Sequence, residues 1–468
     1  MALYTDERRI GVLGMQQAGK STFLTSLINH LQDHHPGEFP LGNATTHVEF
    51  RELPPAGDGT PEFPYEKFRE QLHGRRWPGK TTALSEYRCQ LDFTGGRRNL
   101  MDRVRRAVSE TRLILTDLPG ERLADVSMAG STYAEWSDEL LALLDEKFDY
   151  LEASRDYLRL VEGAGTLEAG PVVAEFKRAL CRLALQYVPV ITPSTLCVTP
   201  TGEYIPKDVR KSGDAEALAK VRFVGLDADR EFAPLPAAAR AANPALAETF
   251  ARHYTAYRDQ IVTPLADKFF ACDQLVVLVD PTVLLAAGVG AYNGCAHMLA
   301  TALAYLAPGR TPLPTLADRV VQFLTAGRSR LPYAPKVRKI AVVASQADKV
   351  HRDDRDKLGD LVRVMVQPLL RNVVARQWLT VEYFVCSAVD SSASLEYPNL
   401  EVRPFDENGR PESQTRSVKV SPVPARWPKT WPAGEYFYPR FAPVPPDRAG
   451  HPPSHIGLNR VAEFLFDL

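Results

Sequence analysis

Apolar residues occur in short continuous runs along the chain, and polar residues follow most of these runs directly. Five runs occupy residues 9–13, 113–116, 274–279, 339–344 and 381–386. Strands buried on both faces of a parallel sheet have this pattern. Between the runs, apolar residues recur at helical spacing, as they do over residues 23–31. The pattern predicts an α/β fold with a doubly wound sheet and functional residues at the carboxyl ends of its strands.

A longer segment, between residues 120 and 273, interrupts this alternation of strands and helices. Helical faces recur in it around Trp136 and over residues 172–185 and 245–270, whereas residues 193–206 have the composition of a loop. A minimal α/β domain needs only one helix and a loop here. The sequence therefore predicts a helical insertion.

Prolines and aromatic residues are concentrated in residues 421–453. Such a segment can be a polyproline ligand, but the interleaved Trp and Tyr residues favour an irregular segment packed on the main domain. A closing helix is expected over residues 458–468. The predicted division gives the α/β domain residues 1–121 and 271–396, the helical insertion residues 122–270, and the proline- and aromatic-rich segment with its closing helix residues 397–468.

Charge narrows the classes of partner. Lys and Arg number 56 against 57 Asp and Glu, so no overall field favours nucleic acid or anionic lipid. The basic cluster at residues 97–106 lacks interleaved aromatic residues for base stacking, which favours a solvated hairpin. We expect no contact with nucleic acid.

Cysteine usage and hydropathy bear on the compartment. No apolar segment reaches the length that spans a bilayer, and the N-terminus lacks a hydrophobic leader. The cysteines are far apart and show no metal-ligand spacing, which indicates buried thiols in a reducing compartment. They are Cys89, Cys181, Cys197, Cys272, Cys295 and Cys386. We expect a cytoplasmic protein without integral membrane contact. His34 and His35 likewise have no ligand-spaced partner.

The clearest chemical signal is GMQQAGKST at residues 14–22, between the first apolar run and a predicted helix. It fits the pattern G-x-x-x-x-G-K-[ST], in which glycines let the loop curl around phosphates and the helix N-terminus adds positive charge. Lys20 would reach the β- and γ-phosphates, and Ser21 would bind Mg²⁺. The residues expected to contact the phosphates are Gly14, Gln16, Gln17, Ala18, Gly19, Lys20, Ser21 and Thr22.

A second candidate follows the run at residues 113–116, where the sequence continues Asp-Leu-Pro-Gly-Glu. A carboxylate at this strand end is suited to serve Mg²⁺, and the N–H of Gly120 would reach the γ-phosphate. An ordinary strand-to-turn junction explains Asp117 and Gly120 equally well when they are taken alone.

The last two runs end in SQAD (345–348) and SAV (387–389), where GTP-binding proteins have N/T-K-x-D and S-A-K. Asp348 would accept hydrogen bonds from guanine N1 and the exocyclic amine, which adenine does not offer. Ser345 and Gln346 depart from the usual residues, which loosens the expected guanine preference. A polar turn with an N-cap Asp is the alternative for SQAD alone. The predicted base-contacting residues are Gln346, Asp348, Ser387, Ala388 and Val389.

Several longer stretches resemble the YcjX-like family of bacterial Ras-like P-loop proteins associated with stress responses. They are RWPGKTTALSEYRCQL, LTDLPGERLADV, YAEWSDELLALL, DQLVVLVDP, SQADKV and SHIGLNRVAEFLFDL. The resemblance implies a Ras-like P-loop NTPase domain with the helical insertion after switch II. It also implies that Thr81 is the switch I threonine at Mg²⁺, with Thr82 as the fallback. SQAD stands where the family more usually has T-K-A-D.

Three functions remain open at this stage. The first is a GTPase switch that binds GTP or GDP with Mg²⁺, and its metal-binding residues would be Ser21, Thr81 and Asp117. The second is a nucleotide-regulated binding protein that signals to a protein partner through the helical insertion, and the third is a P-loop kinase. An adenine-tolerant ATPase is a variant of the first. The candidate catalytic residues are Lys20, Thr81, Gly120 and Glu121.

Glu121 leads us to expect slow hydrolysis. Many Ras-like proteins have a glutamine after DxxG, which can both donate to and accept from the attacking water, whereas an ionised glutamate can only accept. Arg75, Arg76 and Arg122 are nearby candidates for a cation at the γ-phosphate, and an activating partner is the alternative source.

Overall fold

The computed structural model describes most of the chain. The described residues are 4–15, 18–42, 47–79, 84–94, 109–119, 125–126, 128–146, 148–163, 165–185, 192–193, 230–304, 336–374, 379–446, 448 and 451–468. Several residues singled out in the sequence lie outside these ranges: Gln16, Gln17, Thr81, Thr82, Gly120, Glu121, Arg122 and the basic cluster at 97–106.

A seven-stranded sheet organises the first of two compact units, which comprises residues 1–120, 269–289 and 336–468. The strand order is β2-β3-β4-β1-β5-β6-β7. All neighbouring pairs from β4 to β7 are parallel, whereas β3 runs antiparallel to both β2 and β4. The strands are β1 Tyr4–Gly14, β2 His47–Glu52, β3 Ser85–Thr94, β4 Ser109–Asp117, β5 Gln274–Val279, β6 Lys339–Ala344 and β7 Thr380–Val385.

The predicted α/β class with a mostly parallel sheet is confirmed, and the five apolar runs lie in β1, β4, β5, β6 and β7. The sequence did not identify β2, because its residues HVEFRE are mostly polar and none of them is buried. Such a strand is typical of a sheet edge, where polar residues disfavour further pairing.

Helices cover the sheet and complete its core. Helices are numbered in chain order through both units, so the numbers in this unit are not consecutive. Its helices are α1 Lys20–Gln32, α2 Tyr65–His73, α9 Pro281–Ala287, α11 Arg355–Val374 and α12 Leu458–Phe466. Alternate residues of the central strands, such as Val12 and Val276, share one core with Leu27 of α1 and Leu465 of α12. This packing fixes the strand ends relative to the start of α1.

The second unit comprises residues 121–268 and 290–335, and the parts of it that are described are mostly helical. Its helices, with those that reach its boundaries, are α3 Tyr133–Glu146, α4 Phe148–Glu162, α5 Ala169–Leu185, α6 Ala237–Ala242, α7 Pro244–Tyr257, α8 Thr263–Ala271 and α10 Val289–Ala304. The helical pattern at 245–270 is not one α-helix, since a π-helical turn at Arg258–Val262 separates α7 from α8. Beside this turn, the hydroxyl of Tyr257 donates to the buried carboxylate of Asp125 at 2.9 Å.

The proline- and aromatic-rich region is preceded by a three-stranded antiparallel sheet that the sequence did not predict. Its strands are β8 Ser392–Ser394, β9 Asn399–Val402 and β10 Arg416–Lys419. From there to α12 the described residues form no further helix or named strand. The indoles of Trp427 and Trp431 donate hydrogen bonds to the carbonyls of Leu361 and Leu285, at 2.8 and 3.0 Å.

Two further observations concern the compartment. Within the described ranges, no helix combines the length and apolar character that crossing a bilayer requires. Four of the cysteines are described as free, buried thiols: Cys89, Cys272, Cys295 and Cys386. A cytoplasmic location stays a prediction.

Candidate nucleotide site

The glycine-rich loop joins the carboxyl end of β1 to the first turn of α1, and two glycines are required by its path. Gly19 precedes α1 with φ 86°, a left-handed conformation that side chains other than glycine rarely adopt. A Cβ on Gly14 would lie 2.7 Å from the carbonyl oxygen of Leu278 on the neighbouring strand. The defining glycines of the motif therefore have a structural reason in this loop.

Lys20 is the first residue of α1, and its side chain turns back over the loop. Its ammonium group donates to the carbonyl of Gly14 at 3.0 Å and to that of Met15 at 3.3 Å. The residue is only 9% exposed. A buried cation held by two neutral carbonyl groups is incompletely compensated, so an anion placed at the loop would be attracted to it.

Ser21 and Asp117 meet because Ser21 lies in α1, which follows β1, and Asp117 ends β4, the neighbour of β1 in the sheet. β1 pairs in parallel with β4, so both strands end at the same edge of the sheet. The Ser21 hydroxyl donates to Oδ2 of Asp117 at 3.2 Å, and Asp117 is 1% exposed. Hydroxyl and carboxylate oxygens are the ligand types that Mg²⁺ prefers, so this donor set fits the predicted ion.

The last two loops of the predicted site converge on Asp348, which lies after β6 and is 3% exposed. Its Oδ1 accepts from the hydroxyl of Ser387 at 2.7 Å, and its Oδ2 accepts from the backbone N–H of Ser391 at 3.3 Å. Ser387 follows β7, which pairs in parallel with β6. The structure thus brings SQAD and SAV together, and hydrogen bonds fix the direction of the carboxylate.

Burial raises the pKa of the Asp348 carboxyl to about 6. The hydrogen bond from Ser387 and the nearby ammonium of Lys349 act in the opposite direction, while the negative charge of Asp390 raises the pKa further. At neutral pH the group is therefore mostly ionised, and as a carboxylate it can only accept hydrogen bonds.

Gln346 belongs to the SQAD loop and lies next to the glycine-rich loop. It has φ 57°, an uncommon left-handed conformation for a residue with a side chain. Its Nε2 lies 4.0 Å from the position that a Cβ on Gly19 would occupy. The residue that stands in place of the usual lysine therefore extends along the glycine-rich loop.

Ala388 and Val389 complete the SAV loop, which is tied to α1. The hydroxyl of Ser26, on α1, donates to the carbonyl of Ala388 at 2.5 Å. Val389 is buried. The phosphate helix and the base loop are thus directly linked.

An ion pair beside the base loop was not identified from the sequence. Lys349 lies 3.1 Å from Oδ2 of Asp280, and Asp280 also caps α9 by accepting from the N–H of Thr282 at 2.9 Å. The signal was present, since Asp280 directly follows the apolar run at 274–279 as Asp117 follows the run at 113–116.

Ala18, Gly19, Lys20 and Ser21 lie in the loop and first turn as described, and Thr22 follows in α1. The predicted switch residues Thr81, Gly120 and Glu121 lie outside the described ranges, so their positions relative to this loop stay predictions. Trp77, just before that stretch, donates from its indole N–H to the carbonyl of Phe441 at 2.6 Å.

These features define an α/β protein whose large, mostly parallel sheet is consistent with a P-loop NTPase-like fold. The profile of the YcjX-like family, DUF463, matches residues 8–187 and 228–467, so the chain belongs to this family. The Ras-like GTPase YcjX of Escherichia coli (strain K12) is 24% identical over 479 residues, which cover 98% of this chain and 94% of that protein.

Proposed function

We propose that this protein binds guanine nucleotide with Mg²⁺ and slowly hydrolyses GTP to GDP and phosphate. The observation that carries the proposal is the buried carboxylate of Asp348, held by Ser387 and Ser391 next to the glycine-rich loop. Burying a carboxylate is costly, and each hydrogen-bond donor that faces it offsets part of this cost. Guanine offers two adjacent N–H donors to such a group, whereas adenine offers an acceptor and a C–H.

The phosphates would bind at the start of α1. Lys20 would exchange the carbonyls of Gly14 and Met15 for phosphate oxygens, and the loop N–H groups would supply the remaining donors. Ser21, Asp117 and Thr81 would hold Mg²⁺, and this ion would neutralise charge on the β- and γ-phosphates. The hydrogen bond between Ser21 and Asp117 supports a shared role for these two residues.

Hydrolysis would use Lys20, Thr81, Gly120 and Glu121. An ionised Glu121 would place negative charge near the γ-phosphate and could only accept from the attacking water, so turnover would be slow without help. A protein partner acting through the helical unit, or one of Arg75, Arg76 and Arg122, would supply the missing positive charge.

A nucleotide-regulated binding protein with negligible turnover is the second candidate, and Glu121 is the observation that favours it. Gln346 in place of the usual lysine favours a weaker discrimination against adenine, so an ATPase remains the alternative for the base. A stress-associated role is proposed only through family membership, and the cytoplasmic location through the cysteines.

Calorimetric titration of the purified chain with GTP, GDP and ATP in the presence of Mg²⁺, followed by assay of phosphate release, tests the proposal. We expect GTP and GDP to bind more tightly than ATP and phosphate to appear slowly. Equal affinity for ATP and GTP would instead support the ATPase. Tight GTP binding without phosphate release would support the binding protein, and the absence of any nucleotide binding would overturn all three.

A further inference from the structure

Six of the ten histidines of the chain gather at one place. His30 lies in the last turn of α1 and is buried, His34 and His35 follow this helix, and His47 begins β2. The other two come from residues 451–457, which we call the C-terminal strap. The ring of His451 stacks on that of His35 at 4.1 Å, and the ring of His455 meets that of His30 edge-on at 4.8 Å.

This cluster lacks the arrangement of a metal site. The rings of His35 and His451 lie nearly parallel, 8° apart, so their nitrogens do not converge on one point. Throughout the described part of the chain, no group of three or more His, Cys, Asp or Glu residues is placed to hold a metal ion. The histidines therefore need another explanation.

In two of the rings, one nitrogen is hydrogen-bonded and the other is buried without a partner among the described residues. Nε2 of His30 donates to the carbonyl of Pro453 at 3.1 Å, and Nε2 of His455 donates to the carbonyl of Glu38 at 3.3 Å. Within the described residues, Nδ1 of each ring is buried without a hydrogen-bond partner. Protonation would place a charged N–H at that buried position with no acceptor, which is unfavourable.

Burial accordingly lowers the pKa of His30 well below its ordinary value, and neighbouring histidines lower it further. Burial also lowers the pKa of His34 and of His455. Among the other groups that face the cluster, His35 and His47 add like charge when protonated. The carboxylate of Glu38 lies 3.2 Å from Nδ1 of His451, and Glu463 of α12 accepts from the N–H of Gly42.

The same strap is hydrogen-bonded to the SAV loop, which is the base loop that carries Ser387. The N–H of Ser387 donates to the carbonyl of Ile456 at 2.9 Å, the N–H of Ile456 donates to the carbonyl of Ser387 at 2.8 Å, and the N–H of Asp390 donates to the carbonyl of Ser454 at 2.7 Å. A Cβ on Gly457 would collide with the carbonyl oxygen of Val385, so the strap also approaches the end of β7 closely. Ser387 is the residue whose hydroxyl holds Asp348.

We propose that the C-terminal strap is an acid-sensitive latch: protonation of His30 and His455 releases it and with it the base loop that carries Ser387. That release lowers affinity for guanine nucleotide rests on the proposed function, whereas the release itself does not. Histidines with a lowered pKa in the folded state bind protons less readily than in the open state. Docking is therefore complete above about pH 6.5, the ordinary pKa of histidine, and is lost as pH falls below it.

Hydrogen exchange tests the release without any nucleotide. The N–H groups of Ser387 and Asp390 are protected by the strap, whereas the N–H of the adjacent Cys386 donates to Ala344 within the sheet at 2.9 Å. Between pH 7.5 and 5.5, we expect protection factors at Ser387 and Asp390 to fall at least about tenfold and that of Cys386 to stay constant. Equal behaviour of the three amides would overturn the latch.

Variants assign the effect to the cluster. His455→Phe keeps a ring beside His30 but cannot take a proton, so the fall in protection should be at least about threefold smaller than in the natural chain, and protonation of His30 accounts for the rest. His455→Gln serves the same purpose if the first variant does not fold. His73→Phe, at an exposed position on α2, is the matched control and should behave as the natural chain. An unchanged fall in the His455 variants would overturn the part that the proposal gives to His455.

The regulatory half is tested by measuring the Kd for GDP over the same pH range in the natural chain and in His455→Phe. Titration of Asp348 and of the phosphates is common to both proteins, so their difference isolates the latch. We expect the natural chain to lose at least about threefold more affinity than the variant on acidification. Identical losses would overturn the regulation. Absence of GDP binding at pH 7.5 would instead defeat the proposed function, with the exchange result still standing.

Discussion

Lys20 illustrates how a single charge decides the phosphate site. Among the described residues, its ammonium donates only to the carbonyls of Gly14 and Met15. Since a charge-assisted hydrogen bond contributes about 1.5–3 kcal/mol, losing two of them in Lys20→Ala should raise the Kd for GTP by at least about a hundredfold. Calorimetry measures this. Lys67→Ala, on the exposed face of α2, is the control and should bind normally; unaltered affinity in Lys20→Ala would refute the phosphate site.

Asp348 offers a separate test of the base. Asp348→Asn should lose GTP and gain xanthosine triphosphate, because the C2 carbonyl of xanthine can accept from the new amide. Folding should be little affected. The Ser387 hydroxyl can turn to donate to the carbonyl of Val389, 3.0 Å away, and accept from the amide.

The pH dependence of the same residue has a defined sign. The folded-state pKa of Asp348, about 6, lies above the ordinary value, so ionisation of this carboxyl costs stability as pH rises through that range. Asp348→Asn should therefore melt at pH 7 no lower than the natural chain. A fall of many degrees would show that the carboxylate is structural.

Glu121 determines the expected rate, although it lies outside the described residues. Glu121→Gln restores a side chain that can donate to and accept from water, so single-turnover GTP hydrolysis should stay similar or rise. Hydrolysis at tens per second by the natural chain, abolished in the variant, would make Glu121 a general base and contradict the proposed mechanism.

At the scale of elements, a buried hydrogen bond lies beside the π-helical turn that follows α7. Tyr257→Phe removes the hydroxyl that donates to Asp125 at 2.9 Å, and withdrawing one donor from a buried carboxylate costs about 1–3 kcal/mol. Urea unfolding of the chain should show this loss. Tyr436→Phe, at a half-buried position where the hydroxyl makes no hydrogen bond among the described residues, is the control and should change the free energy of unfolding by less than about 0.5 kcal/mol.

Elements were predictable where burial on both faces left an uninterrupted apolar run. β5 is buried at every position, and its six residues identified it without ambiguity. β2 and the β8–β10 sheet were missed because they are short and largely polar, so their pairing depends on partners distant in sequence. The π-helical turn has no local signal, since residues 258–262 continue the helical spacing on either side.

At the scale of the whole molecule, the α/β unit is assembled from three separate stretches of the chain. A ligand that binds only the folded unit should stabilise it by about 2.7 kcal/mol at a concentration one hundred times its Kd. We expect GDP with Mg²⁺ to raise the melting temperature of the chain and ADP to raise it less. Equal shifts would argue against recognition of the base.

The candidate site was predictable in its chemistry but not in its connections. Gly19, Lys20 and Ser21 follow from a motif with fixed spacing. The contacts of Ser391 with Asp348 and of Lys349 with Asp280 join strand ends that are far apart in sequence. Only the sheet order decides which of these ends meet.

The hydrogen bonds of the C-terminal strap also order events during biosynthesis. Ser387 and Asp390 are translated well before Ser454 and Ile456, whose carbonyls accept from them. Because chains fold progressively from the N-terminus as they emerge from the ribosome, these two donors have no native acceptors while the strap is still being made. A nascent chain halted before residue 451 would therefore carry the glycine-rich loop and Asp348 but a SAV loop without the hydrogen bonds that the strap supplies.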